Sequence, residues 1–119
     1  MAVRIGIISA GRMGNNHTGH LLNNPEAQVV AAADILPERA AALVARTDSR
    51  ATGGRAYTDY REMLDKEALD AVYVCTPTRG HAEHAVAVAE RKLALFVEKP
   101  LAATMAEAIN LNLFIERGR

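Results

Sequence analysis

Four short apolar, β-rich runs recur along the chain, at residues 3–8, 28–33, 70–75 and 93–97, and alanine-rich amphipathic stretches separate them. Runs that are apolar on both faces predict strands of a parallel sheet covered by helices on each side. A shorter run over 55–58 predicts an additional edge strand. Helices are expected between the runs. One covers 11–23, and a second covers 37–46 with Pro37 at a favoured first-turn position. A short one reaches Leu64, with Asp59 as its N-cap and Glu62 as the reciprocal acid. The next covers 81–91, with Ala82, Ala85, Val86 and Ala89 on one face, and the last covers 104–118, opened by Thr104 and Glu107. The polar loop 47–54 ends in Gly53-Gly54, and no repeat or linker interrupts the pattern. Alternating strands and helices predict a doubly wound α/β sheet in one domain over 1–119, with right-handed crossovers and strand order 3-2-1-4-5.

Composition narrows the class. At 119 residues and 50% hydrophobic, the chain can bury a core. Fourteen basic side chains balance fourteen acidic ones, which leaves no electrostatic footprint for nucleic acid or an anionic membrane. Cys75 is the sole cysteine, so no internal disulfide forms, and with no basic neighbour to activate it the thiol reads as a small buried hydrophobe. The N-terminal stretch does not read as a signal peptide, and no apolar run approaches the roughly 20 residues that span a bilayer. These features predict a cytoplasmic protein with no metal site.

The candidate chemistry starts where the first strand ends. Ser9-Ala10-Gly11-Arg12-Met13-Gly14 reads as a strand entering a pyrophosphate-binding turn, with a helix N-terminus behind it. Glycines serve such a turn by keeping it tight, letting the backbone approach the phosphates and packing the helix close to the strand. Gly11 and Gly14 are present, and Ser9 stands where the first glycine is usual. Its side chain either narrows the phosphate approach or donates its hydroxyl to phosphate. The second strand ends at Asp34, 20 residues past Gly14, where a carboxylate accepts the ribose hydroxyls of adenosine and repels a 2′-phosphate. NAD is therefore favoured over NADP, the alternative being that Asp34 only caps the following turn. Ile35 adjoins it. Arg39 either flanks the adenine, pairs with Asp34 or is a solvated helix arginine.

A second cluster follows the fourth strand. Thr76, Pro77 and Thr78 sit where ligands bind in such sheets, beside the topological switch point, and fit the nicotinamide-ribose half. His81 either binds ribose or phosphate, or caps and packs its helix. Glu98-Lys99-Pro100 follows the fifth strand at the same sheet edge. A lysine there can donate to a substrate oxygen and stabilise developing alkoxide, with Glu98 holding it in position.

The set Ile5 to Gly14, Asn24-Pro25-Glu26, Ala33-Asp34, Pro37-Glu38-Arg39-Ala40, Tyr57-Thr58-Asp59-Tyr60, Asp70 to Pro77 with His81, and Glu98-Lys99-Pro100-Leu101 resembles the N-terminal domain of the Gfo/Idh/MocA oxidoreductases. The resemblance implies a Rossmann-type domain that binds NAD(P), with Lys99 at the position of the family's active-site lysine and sugars, cyclitols or related polyols as substrates. It implies cofactor contacts from Ser9, Ala10, Gly11, Arg12, Met13, Asp34, Ile35, Arg39, Thr76, Pro77, Thr78, His81, Glu98 and Lys99. Family members continue into a sixth strand and a C-terminal α/β domain that supplies the substrate pocket, so these 119 residues on their own are expected to be inactive on free polyols. A further departure is Lys92, where the family commonly has glycine before its fifth strand. Two readings stand side by side: the cofactor domain of an NAD-dependent dehydrogenase acting on a CH–OH group, and a stand-alone dinucleotide-binding module. The uncharged run 93–97 at a sheet edge, together with Leu111, Leu113, Phe114 and Ile115, predicts a homo-oligomer.

Overall fold

The computed structural model describes residues 3–47, 54–76 and 78–97, without the side chains of Thr78, Arg79 and His81. Pro77, Glu98, Lys99, Pro100 and the helix expected over 104–118 lie outside the described residues. Strands and helices alternate as β1 (Val3–Ile8), α1 (Arg12–Leu22), β2 (Ala27–Ala33), α2 (Pro37–Ala45), β3 (Arg55–Tyr57), α3 (Tyr60–Lys66), β4 (Ala71–Val74), α4 (Thr78–Glu90) and β5 (Ala94–Val97). All pairings are parallel, and the sheet order is β3-β2-β1-β4-β5, the expected one.

Successive strand residues point to opposite faces, so each central strand feeds two cores. Ile5 and Ile7 of β1 pack with Val29, Leu43 and Val44 on the side of α1 and α2. Ile8 packs with Val30, Val72, Val74, Met63, Leu64 and Val88 on the side of α3 and α4. Gly6 belongs to the second side. A Cβ there would lie 3.0 Å from Leu69 Cδ1 and 3.1 Å from Met63 Cε, so the missing side chain lets α3 and the turn into β4 settle onto the sheet. The β1–β2 register shifts at the same point, between Ile5 and Gly6.

Two local expectations are corrected. Asp59 caps α3 by accepting from Arg61 N at 2.9 Å, but Glu62 bonds Lys66 Nζ at 3.0 Å, one turn on, where it serves an i,i+4 ion pair. Helix α4 begins at Thr78, earlier than expected, and buries Ala85, Ala87 and Val88, whereas Ala82, Val86 and Ala89 are only half-buried. Six of the eight residues 82–89 are apolar, so periodicity alone does not select the inward face. Packing of the helix start against the end of β4 selects it: a Cβ on Gly80 would lie 3.3 Å from Thr76 Cβ.

The end of α4 shows what Lys92 does. Its N–H donates to Ala89 O at 3.0 Å, and Leu93 N–H donates to Val88 O at 3.4 Å, the two bonds of a Schellman cap. Leu93 packs against the cluster that contains Val88, and Lys92 has φ 57°. A lysine in this left-handed region costs about 1 kcal/mol relative to glycine. Lys92→Gly is therefore expected to raise the melting temperature by about 4 °C. An unchanged or lower melting temperature would show that the lysine side chain contributes more than the backbone strain costs.

Strand β5 lies at the sheet edge, where Ala94 is exposed and Phe96 is 43% exposed. Phe96 stacks on Tyr73 with ring centroids 4.6 Å apart, and His17 of α1 meets its edge at 5.1 Å.

Candidate dinucleotide site

A cleft of about 350 Å³ opens at the C-terminal ends of the strands, where open parallel sheets bind ligands. It is lined by Ile8 and Ser9 after β1, by Ala33, Asp34, Ile35 and Arg39 after β2, by Thr58 and Tyr60 after β3, and by Thr76, Gly80 and His84 after β4. Among the expected contact residues, Ser9, Asp34, Ile35, Arg39 and Thr76 thus come together in one cavity.

The turn from β1 into α1 is built around close backbone packing. Ser9 N–H continues the sheet ladder to Ala33 O at 2.8 Å, and Ser9 then turns with φ 78°. A non-glycine residue pays roughly 1–2 kcal/mol for a left-handed conformation. Gly14 lies directly behind: a Cβ on it would be 2.2 Å from Ser9 O and 3.2 Å from Ile7 Cγ2. The space in front of the turn is open instead, since a Cβ on Gly11 would meet nothing nearer than Arg39 Nη1 and Ser9 Oγ, both at 3.9 Å. Helix α1 has no side-chain cap at Gly11 and no acid in its first turn. Its N-terminal N–H groups and positive dipole end therefore have no side-chain cap and no first-turn acid to satisfy them. An uncapped helix N-terminus behind an open glycine suits the charge of a diphosphate. Ala10 is buried, while Arg12 and Met13 are exposed on the first turn of α1.

Asp34 is 8% exposed. Its Oδ2 accepts from Ala10 N at 2.8 Å, and its Oδ1 accepts from Leu36 N at 2.8 Å. The carboxylate thus caps its own turn and also ties the β2 end to the phosphate turn. Each oxygen keeps a second lone pair for a ribose hydroxyl. Arg39 does not pair with Asp34. Its Nη1 would lie 3.9 Å from a Cβ on Gly11. Ile35, 86% exposed, forms an apolar flank of the cleft.

In the far wall the sequence pointed to Thr76 but not to His84. Thr76 Oγ1 lies 3.0 Å from His84 Nδ1, and the His84 ring meets Tyr60 edge-on with centroids 4.2 Å apart. The small Gly80 leaves room for both, because a Cβ there would come within 3.2 Å of His84 Cε1. The Tyr60 hydroxyl is buried without a hydrogen-bond partner, and burial, with the Glu83 charge second, pushes its phenol above the usual tyrosine range. His84 gives no signal in the sequence beyond its place on the helix expected over 81–91. Thr78 and His81 lie in the first turn of α4. Cys75 is buried, as expected. Among the described residues, no three His, Cys, Asp or Glu side chains gather as metal ligands, and no helix is long and apolar enough to cross a membrane.

Ser9→Gly is expected to relieve the strained φ and to tighten NAD binding by at most about 1–2 kcal/mol, on the scale of a local steric relief or one hydrogen bond. Titration of both forms with NADH checks this. Weaker binding by the glycine variant would identify the Ser9 hydroxyl as a phosphate ligand.

A parallel sheet with a glycine-lined turn into α1 and an acid at the end of β2 defines a dinucleotide-binding Rossmann domain. Comparison with known proteins agrees. The model of the oxidoreductase family with an NAD-binding Rossmann fold, Gfo/Idh/MocA, matches residues 3–117, and this chain belongs to that family. It is 32% identical over 105 residues to the myo-inositol 2-dehydrogenase of Thermotoga maritima, covering 88% of this chain and 30% of that protein. It is 35% identical over 106 residues to the 4-carboxy-2-hydroxymuconate-6-semialdehyde dehydrogenase of a Sphingobium species, covering 89% of this chain and 32% of that protein. The crystal structure of myo-inositol 2-dehydrogenase from Lactobacillus plantarum superposes with a TM-score of 0.89 at 28% identity, over 99% of this chain and 34% of that one. The WlbA dehydrogenase of Bordetella pertussis, in complex with NADH and UDP-GlcNAcA, superposes with a TM-score of 0.90 at 25% identity, over 99% of this chain and 35% of that one. The chain spans about a third of the length of these relatives.

Proposed function

We propose that residues 1–119 form the cofactor domain of an NAD-dependent oxidoreductase that acts on the CH–OH group of a sugar, cyclitol or related polyol. The observation that carries this reading is the buried Asp34 carboxylate at the end of β2, which shares one cleft with Ser9 of the turn and bonds Ala10 N of the same turn. Asp34 accepts the adenosine ribose hydroxyls and disfavours a 2′-phosphate, which makes NAD the preferred cofactor. The N-terminus of α1 and the Gly11 turn bind the pyrophosphate. Ile35 and Thr58 flank the adenine, and Thr76, Pro77, Thr78 and His81 are assigned to contacts with the nicotinamide half. A bound nicotinamide would supply the acceptor or donor for hydride at the substrate carbinol carbon. Lys99 holds or delivers the proton at the substrate oxygen, and Glu98 orients Lys99. The inositol and nucleotide-sugar names of the relatives support the polyol class.

Fluorescence titration with NADH and NADPH tests the reading. Saturable binding of NADH, tighter than that of NADPH, is the expected result, and binding of neither overturns it. The exposed edge at Ala94 and Phe96 further supports a homo-oligomer. Light scattering should then report a mass above 12.8 kDa, and a monodisperse monomer at high concentration would reject that assembly.

A further inference from the structure

We propose that Asn15 is a positioning residue of the phosphate turn, aiming the N–H groups of Gly11 and Arg12 at the cofactor diphosphate; this rests on the dinucleotide reading above. Asn15 Nδ2 donates to Ala10 O at 3.0 Å and to Gly11 O at 2.9 Å. A trans peptide unit is planar, and its C=O and N–H point in opposite directions. The Gly11 carbonyl also accepts Asn15 N–H at 3.0 Å, so the side chain reinforces the helix backbone there and adds a hold on the Ala10 carbonyl; with both carbonyls drawn toward α1, the N–H groups of Gly11 and Arg12 point the other way. A Cβ on Gly11 would meet nothing nearer than 3.9 Å, so the backbone of the turn is open to a ligand.

The preceding peptide unit is fixed from its other end, because Ala10 N–H donates to Asp34 Oδ2. Three consecutive peptide planes are thus pinned by two side chains, around a residue, Ser9, that occupies a left-handed conformation without being glycine. A glycine-rich turn reaches such a conformation unaided. This turn is held in it by side chains.

The orientation of the Asn15 amide is itself determined. Its Oδ1 accepts from Arg46 Nη1 at 2.7 Å, and the same nitrogen donates to Asn15 O at 3.1 Å. A guanidinium only donates and carbonyls only accept, so the oxygen must face Arg46 and the nitrogen must face the turn. Arg46 reaches this position across Gly19, where a Cβ would lie 3.3 Å from its Nη2. The C-terminal end of α2 therefore supports the turn through Asn15.

The test compares ADP with adenosine as probes on the 119-residue chain. Asn15→Ala is expected to weaken ADP binding about tenfold, the scale of one misdirected charge-assisted hydrogen bond, and to leave adenosine within about twofold. Asn15→Asp, nearly isosteric, sets a carboxylate against two carbonyls and should lose at least as much ADP affinity. Arg46→Ala frees the amide to rotate and should lose less. In amide NMR spectra, the shifts of Gly11 and Arg12 on adding ADP should shrink in Asn15→Ala, which a loss of folded fraction would not produce. Equal losses for ADP and adenosine, or unchanged ADP binding with unchanged amide shifts, would overturn the role of Asn15 and leave the dinucleotide reading standing. Failure of the unmutated chain to bind either probe would overturn both.

Discussion

Gly14→Ala is expected to destabilise the chain by about 3 kcal/mol and to abolish measurable dinucleotide binding. The added methyl would stand 2.2 Å from Ser9 O and 3.2 Å from Ile7 Cγ2. The first contact is backbone, on a residue whose N–H is in the sheet ladder, so the turn cannot move aside without breaking its bond to Ala33 O. Helix α1 must shift outward instead. That shift uncovers the apolar layer of Ile5, Ile7 and Val29 and displaces the helix N-terminus from the diphosphate. Urea denaturation measures the first effect and NADH titration the second. An alanine variant within 0.5 kcal/mol of the parent, the usual range for surface changes, would show that the helix has slack at this crossing.

Asp34→Ala should cost about 2–4 kcal/mol of stability, because two backbone N–H groups, those of Ala10 and Leu36, lose a charged acceptor in a buried or half-buried setting. Binding should fall for both dinucleotides, since both need the turn that Asp34 braces. NADH should lose roughly tenfold more than NADPH. The carboxylate that accepts the ribose hydroxyls goes, and so does the charge that repels a 2′-phosphate. Parallel titrations with NADH and NADPH, corrected for the folded fraction, separate the two roles. Equal losses would mean that Asp34 only braces the turn and that cofactor choice is made elsewhere. Asp34→Asn, which retains one acceptor oxygen, should be the milder stability variant while still losing the charge-based discrimination.

Both effects depend on contacts that a linear reading of the chain treats differently. The glycine spacing around Gly14 and the placement of Asp34 at a strand end are local features, and they were readable because turn chemistry is written in neighbouring residues. The strands were readable for a similar reason: a strand buried on both faces has little choice but to be continuously apolar. Helix α4 shows the limit. Its alanines offer several equivalent faces, and the face that is buried, Ala85 with Val88, was chosen by how Gly80 sits against Thr76. The Glu62 carboxylate likewise had two partners within reach and took Lys66.

The order of strands and helices, their parallel arrangement, the turn into α1 and the acid after β2 are all written in local stretches of the chain. Each follows from periodicity or from the conformational limits of a few adjacent residues. Only the tertiary structure decided that Asp34 would hold Ala10 N–H across 24 residues, that Arg46 would steady Asn15 across 31, and that His84, Thr76 and Tyr60 would share one wall. Such contacts depend on strand register and on which face each crossover helix covers. Those are set by the packing of the whole sheet, because a hydrogen bond between distant residues forms only after the core has brought them together.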